Sequence, residues 1–332
     1  MSKAVRLIDV ADASDTSIKT VSRVLNNDPR VSEETRSRVQ KKIDELGYQV
    51  DLIARSLRTG VDNVIGVIIQ KVGDPFFAEV VEEIEIEANR RGIGVIVGST
   101  HGEMDRENEL VQSFKQRRVA GLIIAPQDVN YSFMENVKIP SVFIDRKPLN
   151  FKGDVVRVDD FEGGRLATNH LIKHGHKQIA FFGDRLKIQP TKLRLDGYKK
   201  ALSEAKIKLN EEFVIIDMDD QAKAEYIMNK ILESKNQPTA LFSSKSELSA
   251  GILRTLHFKE RTDIAMISFD DFRFADTLRP AISVLNHSSR DLARSAVIRL
   301  FSRIDGFDSP AQEEILPLKV IERGSGELRP NS

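Results

Sequence analysis

The chain contains no cysteine, so neither a disulfide framework nor a thiolate metal cluster is open to it. Its 50 Lys and Arg are matched by 50 Asp and Glu, so no global basic field marks it for nucleic acid or an anionic surface. No apolar stretch approaches a membrane span, and the N-terminus lacks the apolar core of an export signal. A cytoplasmic protein that does not engage membranes is the expectation. The phosphate-cradling GxxxxGKS or GxxxxGKT and the nucleophile elbow GxSxG are missing. Gly92-Ile93-Gly94 follows a helical pattern and precedes a strand, the reverse of a dinucleotide fingerprint. His170, His174 and His176 include a pair at i and i+4, but no carboxylate stands at HExxH spacing, and His-Gly-His reads as a helix ending on a glycine cap. No catalytic residue, metal site or cofactor is therefore assigned. There is no short repeat or low-complexity tract, and residues 325–332 read as a frayed end without apolar heptads.

What is present begins at residue 7. Leu7, Val10 and Ala11 fall at helical spacing on one face of a short helix. Ser14-Asp15-Thr16 break it, and Ser17 suits the N-cap of a second helix, whose Val21, Val24 and Leu25 face inward. A small residue at Ala11 permits the close crossing that a helix-turn-helix requires. Ile18, Lys19, Ser22, Arg23 and Asn26 remain on the outer face. There Arg23 can take guanine O6 and N7 bidentately, Ile18 can meet a thymine methyl, and Ser and Asn can hold phosphates. An ordinary helical hairpin with a solvated polar face would read the same way, and this pair alone leaves both open. Residues 1–60 carry 11 Lys and Arg against 9 Asp and Glu, a net of only +2, so basic groups matter there by placement. Ser32 opens a third helix with Glu33 and Glu34 in its positive first turn; Val39, Ile43 and Leu46 form its buried stripe, and Gly47 ends it. Residues 51–58 are too few for a stable isolated helix.

From residue 62 onward apolar runs alternate with helical patterns. Strands are expected at 64–69, 93–98, 120–125, 140–144, 155–158, 178–183, 213–217, 239–243, 264–268 and 281–284, which is α/β organisation with parallel sheets. The acidic run Glu82-Glu83-Ile84-Glu85-Ile86-Glu87 reads as the solvated face of a helix; the alternative is that its apolar partners Val80, Val81 and Ile84 serve a dimer interface.

The order of these pieces closely resembles the lactose/galactose repressor (LacI) family of bacterial transcription regulators. The resemblance rests on DVA at 9–11, TVSRVLN at 20–26, VSEETR at 31–36, ELGY at 45–48, ARSL at 54–57 and IGVI at 65–68. It continues through DPFF at 74–77, GGRLATNHLIKHGHKQIAF at 163–181, RLDGY at 194–198 and SFDDF at 268–272. It implies an N-terminal all-α helix-turn-helix headpiece and an α/β core like a periplasmic binding protein, with two doubly wound parallel-sheet subdomains. The expected boundaries are a headpiece at 1–50, a hinge at 51–61 and an effector-binding and dimerisation domain at 62–328. One subdomain would take about 62–160 and 289–318, the other about 161–288 and 319–328, with crossings near residues 160, 288 and 319. The resemblance further implies a repressor that binds a pseudo-palindromic double-stranded operator as a homodimer. Leu7, Ser17, Thr20, Arg30 and Ser32 then join the outer face of the second helix at DNA. Leu57, beside Ala54 and Arg58, would wedge into the minor groove, a cost in unstacking offset by a bent and more enclosed duplex; the alternative is a plain linker residue. Asp51 stands where asparagine is common, and Asp15 where the turn usually has glycine, which Asp tolerates better than most residues.

A small-molecule effector is expected between the subdomains, outside the carboxyl ends of the strands. By resemblance Phe76 and Phe77 supply an apolar wall, Arg194 and Asp270 charged hydrogen bonds, and Arg146 and Asp160 further pocket groups. The alternative for these charges is a pair that only bridges the lobes. Lys245-Ser246 replace a usual Asn-Asp pair, and Asp220 stands near an aromatic platform found in several relatives. Losing that platform argues for a compact sugar or polyol over a flat purine, whereas Lys245 leaves room for an acidic or phosphorylated ligand. A transport protein would not explain residues 1–60, and an enzyme would need a constellation that is not there.

Overall fold

The computed structural model describes residues 5–25, 28–48, 62–127 and 130–330, which fall into two compact units, residues 1–62 and 63–332. In the first unit three helices, α1 (Leu7–Ala13), α2 (Ile18–Leu25) and α3 (Glu33–Leu46), each bury one stripe. Val10, Ala11, Val21, Val24, Val39 and Ile43 meet in one small core. The turn between α1 and α2 is made by Asp15 at φ 51°, a left-handed position that an aspartate can occupy at modest cost. Ser32 caps α3 by accepting from Thr35 N at 3.4 Å, and Gly47, at φ 62°, closes it.

The second unit holds two sheets. The first consists of β1 (Val64–Ile69), β2 (Gly94–Ser99), β3 (Gly121–Ile124), β4 (Ser141–Ile144), β5 (Asp154–Val158) and β11 (Glu313–Leu316), in the order β11-β5-β4-β3-β1-β2 and parallel throughout. The second has β6 (Ile179–Phe182), β7 (Val214–Ile215), β8 (Ala240–Ser243), β9 (Ala265–Phe269), β10 (Ser283–Asn286) and β12 (Lys319–Ile321), in the order β12-β10-β9-β8-β6-β7. Only β12 runs antiparallel to its neighbour. Helices α4 (Pro75–Asn89), α5 (Met104–Gln116) and α10 (Ser289–Ile304) cover the first sheet. Helices α6 (Asp160–Lys173), α7 (Gln189–Glu204), α8 (Gln221–Glu233) and α9 (Ser246–Phe258) cover the second. Central strands such as Gly121–Ile124 are buried at every position, as expected of parallel strands clad on both faces. The chain passes between sheets after β5, after β10 and between β11 and β12. Among the described residues no helix is long and apolar enough to cross a membrane.

Four expectations need correction. The strands number twelve among the described residues, because β11 and β12 escape the sequence pattern. Glu83 is not solvated: it is 3% exposed and accepts an ion pair from Arg294 of α10 at 2.7 Å. Val80 and Ile84 are buried in the core of the first lobe rather than offered to a partner. The C-terminal segment is not frayed up to residue 330: Ser325 Oγ donates to the Met266 carbonyl at 2.6 Å, and Glu327 takes Ser283 Oγ at 2.7 Å and His170 Nε2 at 2.5 Å. The reading of His-Gly-His as a helix end agrees with the structure, where Gly175 has φ 98° and His176 bonds Thr239 and the Leu328 carbonyl.

Helices α6 and α7 pack backbone to backbone. A Cβ at Gly164 would lie 2.1 Å from the Arg194 carbonyl oxygen, and one at Gly197 would lie 2.1 Å from that of Phe161. Backbone cannot yield as a side chain can, so the helices would have to part. Gly164→Ala should therefore cost about 2–3 kcal/mol of stability in urea unfolding, the usual penalty of overpacking. An unchanged midpoint would show that the contact has slack.

Candidate functional site

On the headpiece, the outer face of α2 carries the expected groups. Ile18 is 46% exposed, Lys19 is exposed, and Ser22 and Arg23 are half-buried at the rim. The Ser17 hydroxyl accepts from Thr20 N at 3.1 Å and lies 2.9 Å from Thr20 Oγ1, so it both caps α2 and faces outward. Leu7 is partly buried against the headpiece core, and Ser32 is occupied in capping α3. Asn26, Ala54, Leu57 and Arg58 lie outside the described residues. Asp28 is the residue that sequence reasoning missed. Its carboxylate takes Arg30 Nε at 2.9 Å and Nη2 at 2.6 Å and stands 3.8 Å from Arg23 Nε, while its carbonyl takes Arg36 Nη2 at 2.9 Å. The hydrogen bonds from Arg30 hold this carboxyl far below the usual carboxylate range. Arg30 is thus a tethered group as much as a free cation.

In the core unit a small cavity, about 50 Å³, lies between the two sheets at the carboxyl ends of their strands. It has room for about four waters. Phe76, Phe77, Arg146, Arg194, Lys245 and Asp270 all line it. Phe76 and Phe77 sit in the first turn of α4, whose N-cap Asp74 accepts from Phe76 N at 3.1 Å. Phe76 meets Phe77 and His287 edge-on, with ring centroids 5.0 and 5.4 Å apart. Arg146 follows β4 and donates from Nε and Nη2 to Asp145 at 2.9 and 2.8 Å. Asp160 opens α6 behind the lining, 2% exposed. It receives Arg194 Nε at 2.8 Å, while Arg194 Nη1 donates to the Ser244 carbonyl at 2.6 Å and the guanidinium lies 3.4 Å from the Phe269 ring centre. Burial pushes the Asp160 carboxyl up against the pull of Arg194. Asp270 stands 3.0 Å from His287 Nε2. There burial also pushes upward, but His287, with Arg194 and Lys245 farther off, outweighs it and holds the carboxyl low.

Lys245 corrects an expectation. Its ammonium lies 2.9 Å from Glu247, 3.2 Å from Asp74 and 3.9 Å from Asp184. Burial disfavours its charge, but these carboxylates more than restore it and raise its pKa. Surrounded in this way, Lys245 is not the uncommitted cation that the expectation of an acidic or phosphorylated ligand assumed. Asp220 is a second correction: it is exposed, caps α8 by accepting from Lys223 N at 2.8 Å, and does not line the cavity. The residues missed are Asp74 as a polar group, Asp145, Asp184 and Thr191 of the lining, and His287 behind it. A signal for two of them was present. Asp145 and Asp184, like the expected Asp270, each come within two residues of a strand end, in FID, FFGD and SFD. Asp145 and Asp270 have φ 69° and 66°, a backbone region sparsely used by residues other than glycine, at the carboxyl ends of strands where ligands bind in open α/β sheets.

Known proteins resemble both units of the chain. Residues 6–51 match bacterial regulatory proteins of the lacI family, and residues 168–326 match a periplasmic binding protein-like domain. The chain is 30% identical over 323 residues to the HTH-type transcriptional repressor PurR of Pasteurella multocida, covering 95% of this chain and 97% of the relative. It is 29% identical over 324 residues to the ribose operon repressor of Escherichia coli, covering 96% and 98%. The fold is like that of the lac repressor dimer bound to operator and an anti-inducer, with a TM-score of 0.85 at 24% identity over 98% and 99% of the two chains.

The Asp160–Arg194 pair makes its own prediction. Arg194→Met leaves Asp160 buried without its partner and should cost about 3–5 kcal/mol, whereas adding Asp160→Asn should recover much of that loss. Chemical denaturation of the two variants tests it. Equal losses in the single and double variants would mean that packing of the guanidinium, rather than its charge, is what matters.

Proposed function

The chain belongs to the lacI family of bacterial regulatory proteins, with a helix-turn-helix DNA-binding unit and an effector-binding core; from that premise we propose that it is a cytoplasmic repressor. It binds a pseudo-palindromic operator as a homodimer, and a compact, uncharged, polyhydroxylated effector in the cleft loosens it from DNA. The observation that carries the effector class is the state of the cations. Arg194 is held by Asp160 and a carbonyl, Arg146 by Asp145, and Lys245 by Asp74 and Glu247. An anion entering the cavity would find carboxylates at Asp74, Asp145, Asp184 and Asp270, and each lysine and arginine among the described lining residues already has a carboxylate partner. Hydroxyl groups, which both donate and accept, suit such paired charges. Among the described residues the lining carries two aromatic rings, Phe76 and Phe77, which pack edge-on with centroids 5.0 Å apart, so they form one wall and leave no gap to sandwich a flat ring system. The ribose operon repressor among the relatives agrees with a sugar. A wedge role for Leu57 belongs to the same proposal. Titrating an operator complex with sugars, polyols, nucleosides and phosphorylated sugars decides it; release by a nucleotide, or tightening by a nucleoside, would overturn the effector half.

Two expectations follow for variants. Arg23→Ala should weaken operator binding by roughly 1–3 kcal/mol and relax preference at one base pair in each half-site, as read by competition between operator variants. Asp270→Asn should weaken effector binding by roughly tenfold or more, the scale of one lost charged hydrogen bond, and leave effector-free operator affinity near wild type. Linkage requires the effector to change operator affinity by the factor by which operator changes effector affinity, and calorimetry on both sides of the cycle checks that equality.

A further inference from the structure

The charge cluster at the rim of the cavity joins the two lobes. Lys71 and Asp74 follow β1 in the first lobe, and Lys245 and Glu247 stand at the start of α9 in the second. Lys71 Nζ lies 2.8 Å from Glu247 Oε1, and Lys245 Nζ lies 3.2 Å from Asp74 Oδ2. Each lobe therefore gives one lysine and one carboxylate. Glu247 also holds Lys245 at 2.9 Å, so both lysines meet on it. The Asp74 side chain is only 4% exposed and that of Lys71 is 49% exposed, which makes the inner pair sheltered and the outer pair open to salt.

We propose that Lys71, Asp74, Lys245 and Glu247 form an ionic clasp that draws the lobes together before any effector arrives, with Glu247 as its positioning residue. Charges of alternating sign across a gap attract most when the gap is closed, and shielding from water strengthens the inner pair. Parting the lobes would separate Lys245 from Asp74 and Lys71 from Glu247 at once, while leaving Lys245–Glu247 intact inside one lobe. The closed form is thereby favoured by two contacts that the open form lacks. The outer pair answers to ionic strength, since the Debye length falls from about 10 Å at 0.1 M salt to about 3 Å at 1 M. The clasp also gives Lys245 a second task, as the residue that excludes anions: a bound anion would compete with Asp74 and Glu247 for the ammonium and loosen the closure that binding requires. This regulation rests on the effector reading of the cleft, but its test uses no effector, so that either can fail alone.

The lack of cysteine permits clean labelling of the full-length protein. Spin labels at Glu103→Cys in the first lobe and Lys187→Cys in the second, both exposed positions, report the gap by pulsed dipolar spectroscopy. In 0.1 M salt a single short distance is expected, with a longer one gaining weight at 1 M. Glu247→Gln should raise the long-distance population roughly threefold or more at low salt, the scale of a surface-to-rim ion pair. Lys71→Met, at an exposed position that puts no fold at risk, should do so to a lesser degree, while Lys71→Arg should restore the wild-type distribution. Distributions for Glu247→Gln and Lys71→Met that superimpose on wild type at both salt concentrations would overturn the clasp. Opening by Lys71→Arg equal to that by Lys71→Met would do the same, because shape rather than charge would then be at work.

Discussion

A guanidinium taken out of water must be answered on every side, and the core unit is arranged around doing this for Arg194. Its edge is met by Asp160 and the Ser244 carbonyl, and its face by the Phe269 ring. Those partners come from the start of α6, the end of β8 and the end of β9, so one side chain gathers three elements of the second lobe. Asp160 is also among the first residues beyond β5 of the other sheet. The crossing between lobes is thus bolted to the same charge. None of this would fit without Gly164 and Gly197, which let the backbone bearing Arg194 approach α6. A lysine there could replace the charge but neither the planar face nor the two separated donors.

The headpiece solves a different electrostatic problem with the same means. A net charge near zero cannot draw the chain to DNA, so the few basic groups must be held where they serve. Asp28 does this from the loop beyond α2, collecting Arg23 and Arg30 on its carboxylate and Arg36 on its carbonyl. On the proposed reading of the headpiece, ordering Arg23 and Arg30 beforehand would lower the entropy lost when they meet DNA.

Most of the architecture was legible in the sequence because buried parallel strands are written as short apolar runs between helical patterns. The same rule explains the misses. Strand β11, reading Glu-Glu-Ile-Leu, sits at a sheet edge where Glu313 pairs with Arg157 and Lys147 and Glu314 with Arg299, and it carries no apolar signature. Strand β12 is three residues long and antiparallel. In the cleft, six of the eight expected residues line one cavity and Asp160 lies just behind it. Asp220 failed because a local capping pattern, an aspartate three residues before Lys223, was passed over for a distant similarity. The environments of Lys245 and Glu83 depend on Asp74 and Arg294, far off in the chain, and no local pattern carries such information.

Both lobes are discontinuous, and that bears on how the protein comes off the ribosome. The core of the first lobe takes Leu292, Val297, Leu300 and Phe301 from α10 and ends in β11. Five of its strands emerge long before the helix that covers them, and the whole second sheet but one strand is synthesised in the interval. The second lobe in turn waits for β12 and for Ser325 and Glu327, all of which follow β11 in the chain. During translation the protein must therefore carry two half-clad sheets at once, with open edges and apolar faces of the kind that chaperones bind. A chain cut short before β11 would lack the last strand of both sheets, so the protein's abundance in the cell should depend on chaperone supply as well as on its folded stability.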